Sequence, residues 1–309
     1  MVSRIEVIPG DVRGYGNIVE PKTTDDFTLY NAELSLSDGV YSLVAEALVD
    51  SITLTSNKTV LSYHDNENCT FTARLSNHAI SETVQLYNAN TNTLIGSMTS
   101  NNDGTYTYTY NSQGIGDLQV YAKWGNVTSS NITIEDCKYY FHGVDKSSDF
   151  TPKLCEGGTN GTVTYDSTDG VHFTHGSKAT CYQLPVKLPE NCIIEADFTK
   201  VTAGTYGIVL GNGTDGYADG CILSGDTIQS GYRYTNSVWQ GSLISSVTHG
   251  GTLPFTMRVT KTGTSIYITV NNVSSNSFTM QFTSGDVYTG IIGNSSLNAY
   301  INGFKIKTV

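Results

Sequence analysis

An all-β fold built from sandwiches is predicted by three observations. Apolar and polar residues alternate with period two along most of the chain, the alternating runs are short and bounded by Gly, Asn and Asp turn signals, and no stretch carries a helical period. The composition agrees. Gly (31) and Tyr (20) are abundant, Ser, Thr and Asn dominate the polar residues and charged residues make up only 15%, a balance that suits strand-rich, surface-type domains better than helical enzymes.

In chain order, residues 1–49 read as a distinct β extension. A short alternating run, RIEVI, is broken by Pro9-Gly10 and Gly14-Tyr15-Gly16, and a hairpin is predicted over DFTLYNAELSLSDGVYSLVAEAL around Asp38-Gly39. A hairpin of this size is marginal alone, so the segment is expected to dock or oligomerise by strand addition. Residues 50–136 carry short strands at sandwich spacing: SITLTSNKTVLSY, CTFTARLS, ETVQLYNANTNTLIGSMT, GTYTYTYNS, DLQVYAKWG and VTSSNITIED. Asp103-Gly104 is the clearest turn, and after it Tyr106, Tyr108 and Tyr110 must share one face of a half-buried strand. Residues 137–309 form one larger antiparallel sandwich, whose most legible hairpin is PFTMRVTKTGTSIYITVNN. Phe255, Met257 and Val259 face one side there and Ile266, Ile268 and Val270 return against them.

Charge and cysteine usage exclude several functions. A net charge of −11 with no basic stripe argues against nucleic acid and against an anionic membrane surface. No apolar run approaches the roughly 20 residues of a membrane-spanning helix. The six cysteines have no CxxC pair and no framework spacing, so free, buried thiols are expected, with disulfides of unassigned pairing as the alternative that an even count permits outside a cell; Cys69 and Cys192 each open an apolar strand. MVSRIEVIPGDVRGYG has no apolar signal region, which leads to the expectation that the chain reaches the outside by assembly on a particle rather than by secretion.

Two stretches concentrate ligand-type chemistry. CIIEADFTKVTAGTYGIVLGNGTDGYADGCIL, from Cys192 to Leu223, runs two strands into a loop dense in Gly, Asn, Asp and Tyr, and GYRYTNSVWQGS follows from Gly231. Aromatic faces stack on the C–H patches of sugars while Asn, Asp and backbone groups satisfy hydroxyls, so Asn212, Asp215, Tyr217, Tyr232, Tyr234, Asn236 and Trp239 are the predicted ligand-binding residues. Asp215 and Asp219 are the only calcium candidates singled out, with a polar turn as the alternative; no other cofactor is expected. His172 and His175 with Cys155 and Cys181 do not make a zinc set, because positions i and i+3 of a strand face opposite ways. No nucleophile elbow and no phosphate loop is present.

The run SITLTSNKTVLSY, CTFTARL, ETVQLYN and TSNNDGTYTYTYNSQGIGDLQVYAKW resembles a bacterial immunoglobulin-like domain of the invasin type, which implies a spacer. EADFTK, PFTMRVTKTGTSIYITVNN and the closing YINGFKIKTV resemble the concanavalin A-like, laminin-G-like jelly roll. The laminarinase branch of that jelly roll writes its catalytic carboxylates as E-x-D-x-(x)-E; here Glu195 and Asp197 are present but Lys200 stands where the second glutamate belongs, so no catalytic residue is assigned and the chain is expected not to be an enzyme. The whole arrangement is similar to adhesin-like or tail proteins of methanogen viruses and proviruses of the Methanobrevibacter type. That resemblance implies a host-attachment protein on a virion, at the tail or surface, recognising a host cell-surface glycan. It would contact other virion proteins through residues 1–49, and because many weak sugar contacts need avidity a homo-oligomer is expected, a trimer first among the options. A structural tail protein, a methanogen adhesin and a glycoside hydrolase are the alternatives.

Overall fold

The computed structural model describes residues 5–7, 32–37, 40–45, 51–76, 83–156, 158–224, 227–240, 245–249, 252–281, 285–294 and 296–309. Strands dominate; the one helical element among the described residues is a single 3-10 turn, Ser147–Asp149. The chain divides into two compact units, one of residues 1–58, 69–110 and 119–133, the other of 59–68, 111–118 and 134–309.

In the first unit, Ala32–Ser37 pairs antiparallel with Val40–Ala45, Ser37 opposite Val40, as predicted for the hairpin at 38–39; Ile5–Val7 joins the other edge of Val40–Ala45. A four-stranded sheet orders Ile52–Ser56, Asn68–Leu75, Thr105–Asn111 and Thr99–Ser100. Tyr106 and Tyr110 are both 5% exposed, which establishes the tyrosine-rich inner face of that strand. The turn before it is built as read: Gly104 has φ 84°, and the Asp103 carboxylate accepts from Thr105 N at 2.9 Å. Gln85–Asn88 pairs with Thr93–Ser97 and with the second half of Gly116–Trp124.

The second unit is a two-sheet sandwich. Its larger sheet runs in the order Val163–Asp166, Gly170–Thr174, Asn298–Thr308, Asn191–Ala203, Phe255–Thr262, Ser265–Val270, Val273–Ser274, with Tyr139–His142 pairing on Asn298–Thr308. The second sheet orders Thr151–Leu154, Thr180–Lys187, Tyr288–Gly293, Tyr206–Gly211, Ala218–Ser224, Thr227–Thr235 and Val238–Trp239, with Ser245–Thr248 also on Thr227–Thr235. One continuous core fills the space between them. Ile194, Phe198, Met257, Ile268 and Phe304 come from one sheet and Tyr182, Leu184, Ile208, Leu210 and Ile291 from the other. Burial of this apolar surface is the main favourable term in folding. Both halves of the predicted hairpin are inside it: Phe255 is 9% exposed, and Met257, Val259, Ile266, Ile268 and Val270 are fully buried.

This unit also takes in earlier pieces of chain. Glu135–Cys137 runs parallel to Val60–Ser62. Buried Asp136 accepts hydrogen bonds from Gln113 N, Gly114 N and Ser112 Oγ, which fixes the segment 111–118.

All six cysteines are free and buried, as the spacing suggested. Burial pushes the thiols of Cys137, Cys155 and Cys192 up to about 12, and those of Cys181 and Cys221 well up too. A thiol reagent at pH 8 is therefore expected to label essentially none of them in the native protein and all six once unfolded, a result read from absorbance with and without denaturant.

Candidate functional site

Tyr206–Gly211 and Ala218–Ser224 pair with Gly211 opposite Ala218, so residues 212–217 form their connecting loop. The Asn212 carboxamide oxygen folds the loop locally by accepting from Thr214 N at 3.1 Å and Thr214 Oγ1 at 2.7 Å. The loop is also tied to the neighbouring edge strand: Leu154 N donates to Asp215 Oδ1 at 3.0 Å, and Gly216 N donates to Leu154 O at 2.7 Å.

The second loop is a two-residue hairpin turn. Thr235 pairs with Val238, and the intervening Asn236 and Ser237 have φ 50° and 61°, the left-handed conformation that a primed turn requires. The two loops lock together. Ser237 N donates to Gly216 O at 3.1 Å, and the Tyr217 hydroxyl donates to Asn236 Oδ1. Gly216 has φ 82°, and a Cβ there would lie 2.6 Å from Ser237 Oγ and 2.7 Å from Ser237 N, so this close approach requires glycine.

Asn212, Asp215, Tyr217, Asn236 and Trp239 are thus brought to one edge of the second sheet. Asp215 and Asn236 are exposed; Asn212, Tyr217 and Trp239 are half-buried. Trp239 stands opposite Tyr234 with ring centroids 5.5 Å apart, and it packs against a small apolar cluster that includes Cys155, Cys181, Val209, Ile222 and Ile292. Tyr234 differs from its expected role: only 3% exposed, it supports Trp239 from beneath instead of meeting a ligand, because strand alternation turns it into that cluster. The backbone of Tyr232 pairs with Gly220, and its side chain lies outside the described residues.

Asp219 is not a loop residue but a fully buried strand residue. Its Oδ1 accepts from Arg233 Nε at 2.6 Å and its Oδ2 from Gln281 N at 2.5 Å. Both carboxylate oxygens are therefore committed within the protein, and Asp215 and Asp219 do not form the calcium pair considered from sequence. Arg233 also donates to Thr279 O at 2.9 Å, and Thr235 Oγ1 donates to Gln281 Oε1 at 2.6 Å, so this group ties the loop-bearing strand to 279–281. Burial pushes the Asp219 carboxyl above the usual range despite Arg233 and the Gln281 N–H.

Glu195 and Asp197 share the outer face of Asn191–Ala203. Glu195 Oε1 pairs with Arg258 Nη2 at 2.5 Å and Oε2 with Lys305 Nζ at 2.8 Å; Lys305 also reaches Glu135 at 3.1 Å. Burial raises the Glu195 carboxyl, but Lys305 and Arg258 outweigh it and hold the group below its ordinary range. Asp197 accepts from Thr256 Oγ1 at 2.6 Å, with His142 Nδ1 at 3.7 Å from its other oxygen. Lys200 is bound to Asp169 and lies 4.9 Å over the Tyr300 ring. Sequence reasoning missed Arg258 and Lys305 as partners of Glu195, since both come from distant strands.

His172 is stacked on Tyr300 at 4.0 Å and bonded to Asn298, and His175 bonds to Gly176 O, so the two histidines serve separate contacts. A different trio, His64, Asp65 and Asp149, brings ligand-type atoms within 4.8 Å of one another. Lys146 already neutralises it, bonding to Asp65 and lying 3.6 Å from Asp149, which also takes the Tyr139 hydroxyl at 2.8 Å.

No protein-family model and no curated protein matches this chain. Among solved structures, it is similar to a β-glucanase of Bacillus licheniformis, with a TM-score of 0.40 and 13% identity over 55% of this chain and 98% of the other. It is also similar to a Bacillus subtilis protein of unknown function with a galectin-like fold, at TM-score 0.37 and 12% identity over 55% and 94% of the two chains. The carbohydrate binding module CBM66 from Bacillus subtilis gives a TM-score of 0.35 and 12% identity over 51% and 94%.

Proposed function

We propose that this protein is a non-catalytic recognition protein that binds a polysaccharide at the locked pair of loops 212–217 and 235–239. The observation that carries this reading is the direct bonding of the loops to each other, through Tyr217 to Asn236 and Ser237 to Gly216. Polar groups and two half-buried aromatic rings are thereby held in place before any ligand arrives, which lowers the ordering cost of binding. The electrostatics of Glu195 support a non-catalytic role. Both of its oxygens are committed to cations, Oε1 to Arg258 Nη2 at 2.5 Å and Oε2 to Lys305 Nζ at 2.8 Å, and the second glutamate of the retaining pair is replaced by Lys200.

The test is an array of neutral and acidic cell-surface oligosaccharides probed with the purified chain. Trp239→Ala and Tyr217→Ala are each expected to weaken binding by about two- to tenfold, as the loss of roughly 0.5–1.5 kcal/mol per aromatic contact implies, while circular dichroism of each variant retains the native β signature. Binding that survives both substitutions sinks the reading. Turnover of a bound polysaccharide that disappears in Glu195→Gln would make the protein a hydrolase instead.

The finer reading, resting on the sequence resemblance, is attachment of a methanogen virus to its host glycan as a homo-oligomer carried on the virion. Electron microscopy of particles with the protein labelled tests it: label at the tail or surface is expected, and unlabelled particles overturn it.

A further inference from the structure

A cleft of about 660 Å³ that shares no lining residue with the loop pair is lined by Tyr63, His64, Asn66, Lys138 and the segment 185–190. Both walls are built rather than loose. On one side, Tyr63 N donates to Cys137 O at 2.9 Å, His64 N to Lys138 O at 3.1 Å and Asn66 N to Tyr63 O at 3.0 Å, a turn closed by Asn66 at φ 54°. On the other, Leu188 N donates to Val287 O at 2.7 Å, while Lys261 Nζ binds Pro189 O at 3.1 Å and Glu190 O at 2.7 Å. Prolines at 185 and 189 stiffen that wall further.

The cleft pairs an aromatic surface with a cation. Tyr63 is 50% exposed, unusual for so large a ring, and Lys138 Nζ sits 5.0 Å from its centroid. Lys138 is held there by Gln113 O at 3.3 Å, and no carboxylate lies within ion-pair distance of it among the described residues. Lys187, on the opposite wall, is by contrast neutralised by Asp286 at 2.5 Å. In a chain of net charge −11, an ammonium left without a carboxylate beside an open ring in this cleft is charge-complementary to an acidic group on a ligand.

We propose that this cleft is a second carbohydrate site, for a uronic-acid residue of an acidic polysaccharide, with its carboxylate at Lys138, its pyranose ring against Tyr63 and its hydroxyls at Asn66 and Glu190. It goes beyond the loop-edge reading and shares no residue with it, so either site stands or falls without the other.

The experiment titrates the full chain calorimetrically with tetrasaccharides of galacturonic and glucuronic acid and with their methyl esters. At least one free acid is expected to bind about tenfold or more tightly than its ester, since a hydrogen bond to a charged group contributes about 1.5–3 kcal/mol. Lys138→Gln and Tyr63→Ala should each weaken the acid about tenfold, whereas Trp239→Ala should leave it unchanged. Lys138→Gln keeps the first two methylenes of the stem, and Tyr63 is a surface ring, so folding is checked by matching unfolding curves. Equal binding of acid and ester, undiminished binding in Lys138→Gln, or no binding of either acid up to about 10 mM overturns the proposal.

Discussion

Arg233→Met is expected to lower the unfolding free energy by about 3–5 kcal/mol at pH 7, the cost of leaving a buried charge without its partner. Asp219 is fully buried, and Arg233 supplies its only charged partner among the described residues. The Gln281 N–H alone cannot replace it. Asp219→Asn in the Arg233→Met background should recover much of the loss, because the amide no longer brings a charge into the sheet. The pH dependence has a definite sign. A carboxyl whose folded pKa is raised contributes stability below its unfolded value of about 3.8, and this is lost as pH rises through the folded pKa. The penalty of Arg233→Met should therefore shrink between pH 7 and pH 4, and urea titrations followed by circular dichroism at the two pH values would show it. An equal penalty at both would mean that Asp219 does not carry the effect.

The second large effect belongs to Lys305→Met. Lys305 joins Glu195 and Glu135, and Lys307 extends the chain of charges from Glu135 to Asp117 at 3.1 Å. The side chain of Glu195 is 11% exposed and that of Lys305 20%, so solvent screens this pair less than a surface pair. A loss of about 3 kcal/mol at neutral pH is expected, the lower end for a broken buried pair. Glu195 and Glu135 are held below 4.5; their contribution is present above that value and is lost as pH falls through the folded pKa. Lys305 is raised from 10.5 to about 12, so its share is complete below 10.5 and disappears as pH rises through about 12. Wild type and variant should accordingly converge in acid, once the carboxylates are protonated, and again in strong base. Thermal unfolding across that range measures the convergence, and a gap independent of pH would refute the ion-pair account.

The parts of this fold that were legible in sequence are those governed by local rules. Period-two alternation placed Phe255, Met257 and Val259 against Ile266, Ile268 and Val270 in the core, and Asp-Gly at 103–104 announced the turn before Thr105–Asn111. The loop after Leu210 is legible for the same reason, a short connection folded back on the Asn212 amide, whereas the run from Gly231 that reads as a second loop is strand as far as Thr235, and only Asn236 and Ser237 make its turn. What escaped was set by pairing across long distances in sequence. Asp219 reads as a loop carboxylate in sequence, but it pairs opposite Leu210 within a strand and accepts from Gln281 N, 62 residues away. Tyr234 and Tyr217 look equivalent in composition, yet strand phase buries the first and leaves the second half out. The cleft at Tyr63 has no motif at all, since it gathers three segments that are separate in sequence, 63–66, Lys138 and 185–190.

The strand Asn298–Thr308 sits in the middle of the larger sheet, hydrogen-bonded to Tyr139–His142, Gly170–Thr174 and Asn191–Ala203. It is also the last strand of the sheet to be synthesised. During translation the strands made before it have a gap where their shared partner belongs, with unpaired backbone and half of the apolar layer open to water. Closure waits for Ala299, Ile301, Phe304 and Ile306 to leave the ribosome, so the sandwich is completed after synthesis of its other strands rather than strand by strand alongside it. Until Asn298–Thr308 is in place, the facing edges of Tyr139–His142, Gly170–Thr174 and Asn191–Ala203 lack the partner they share.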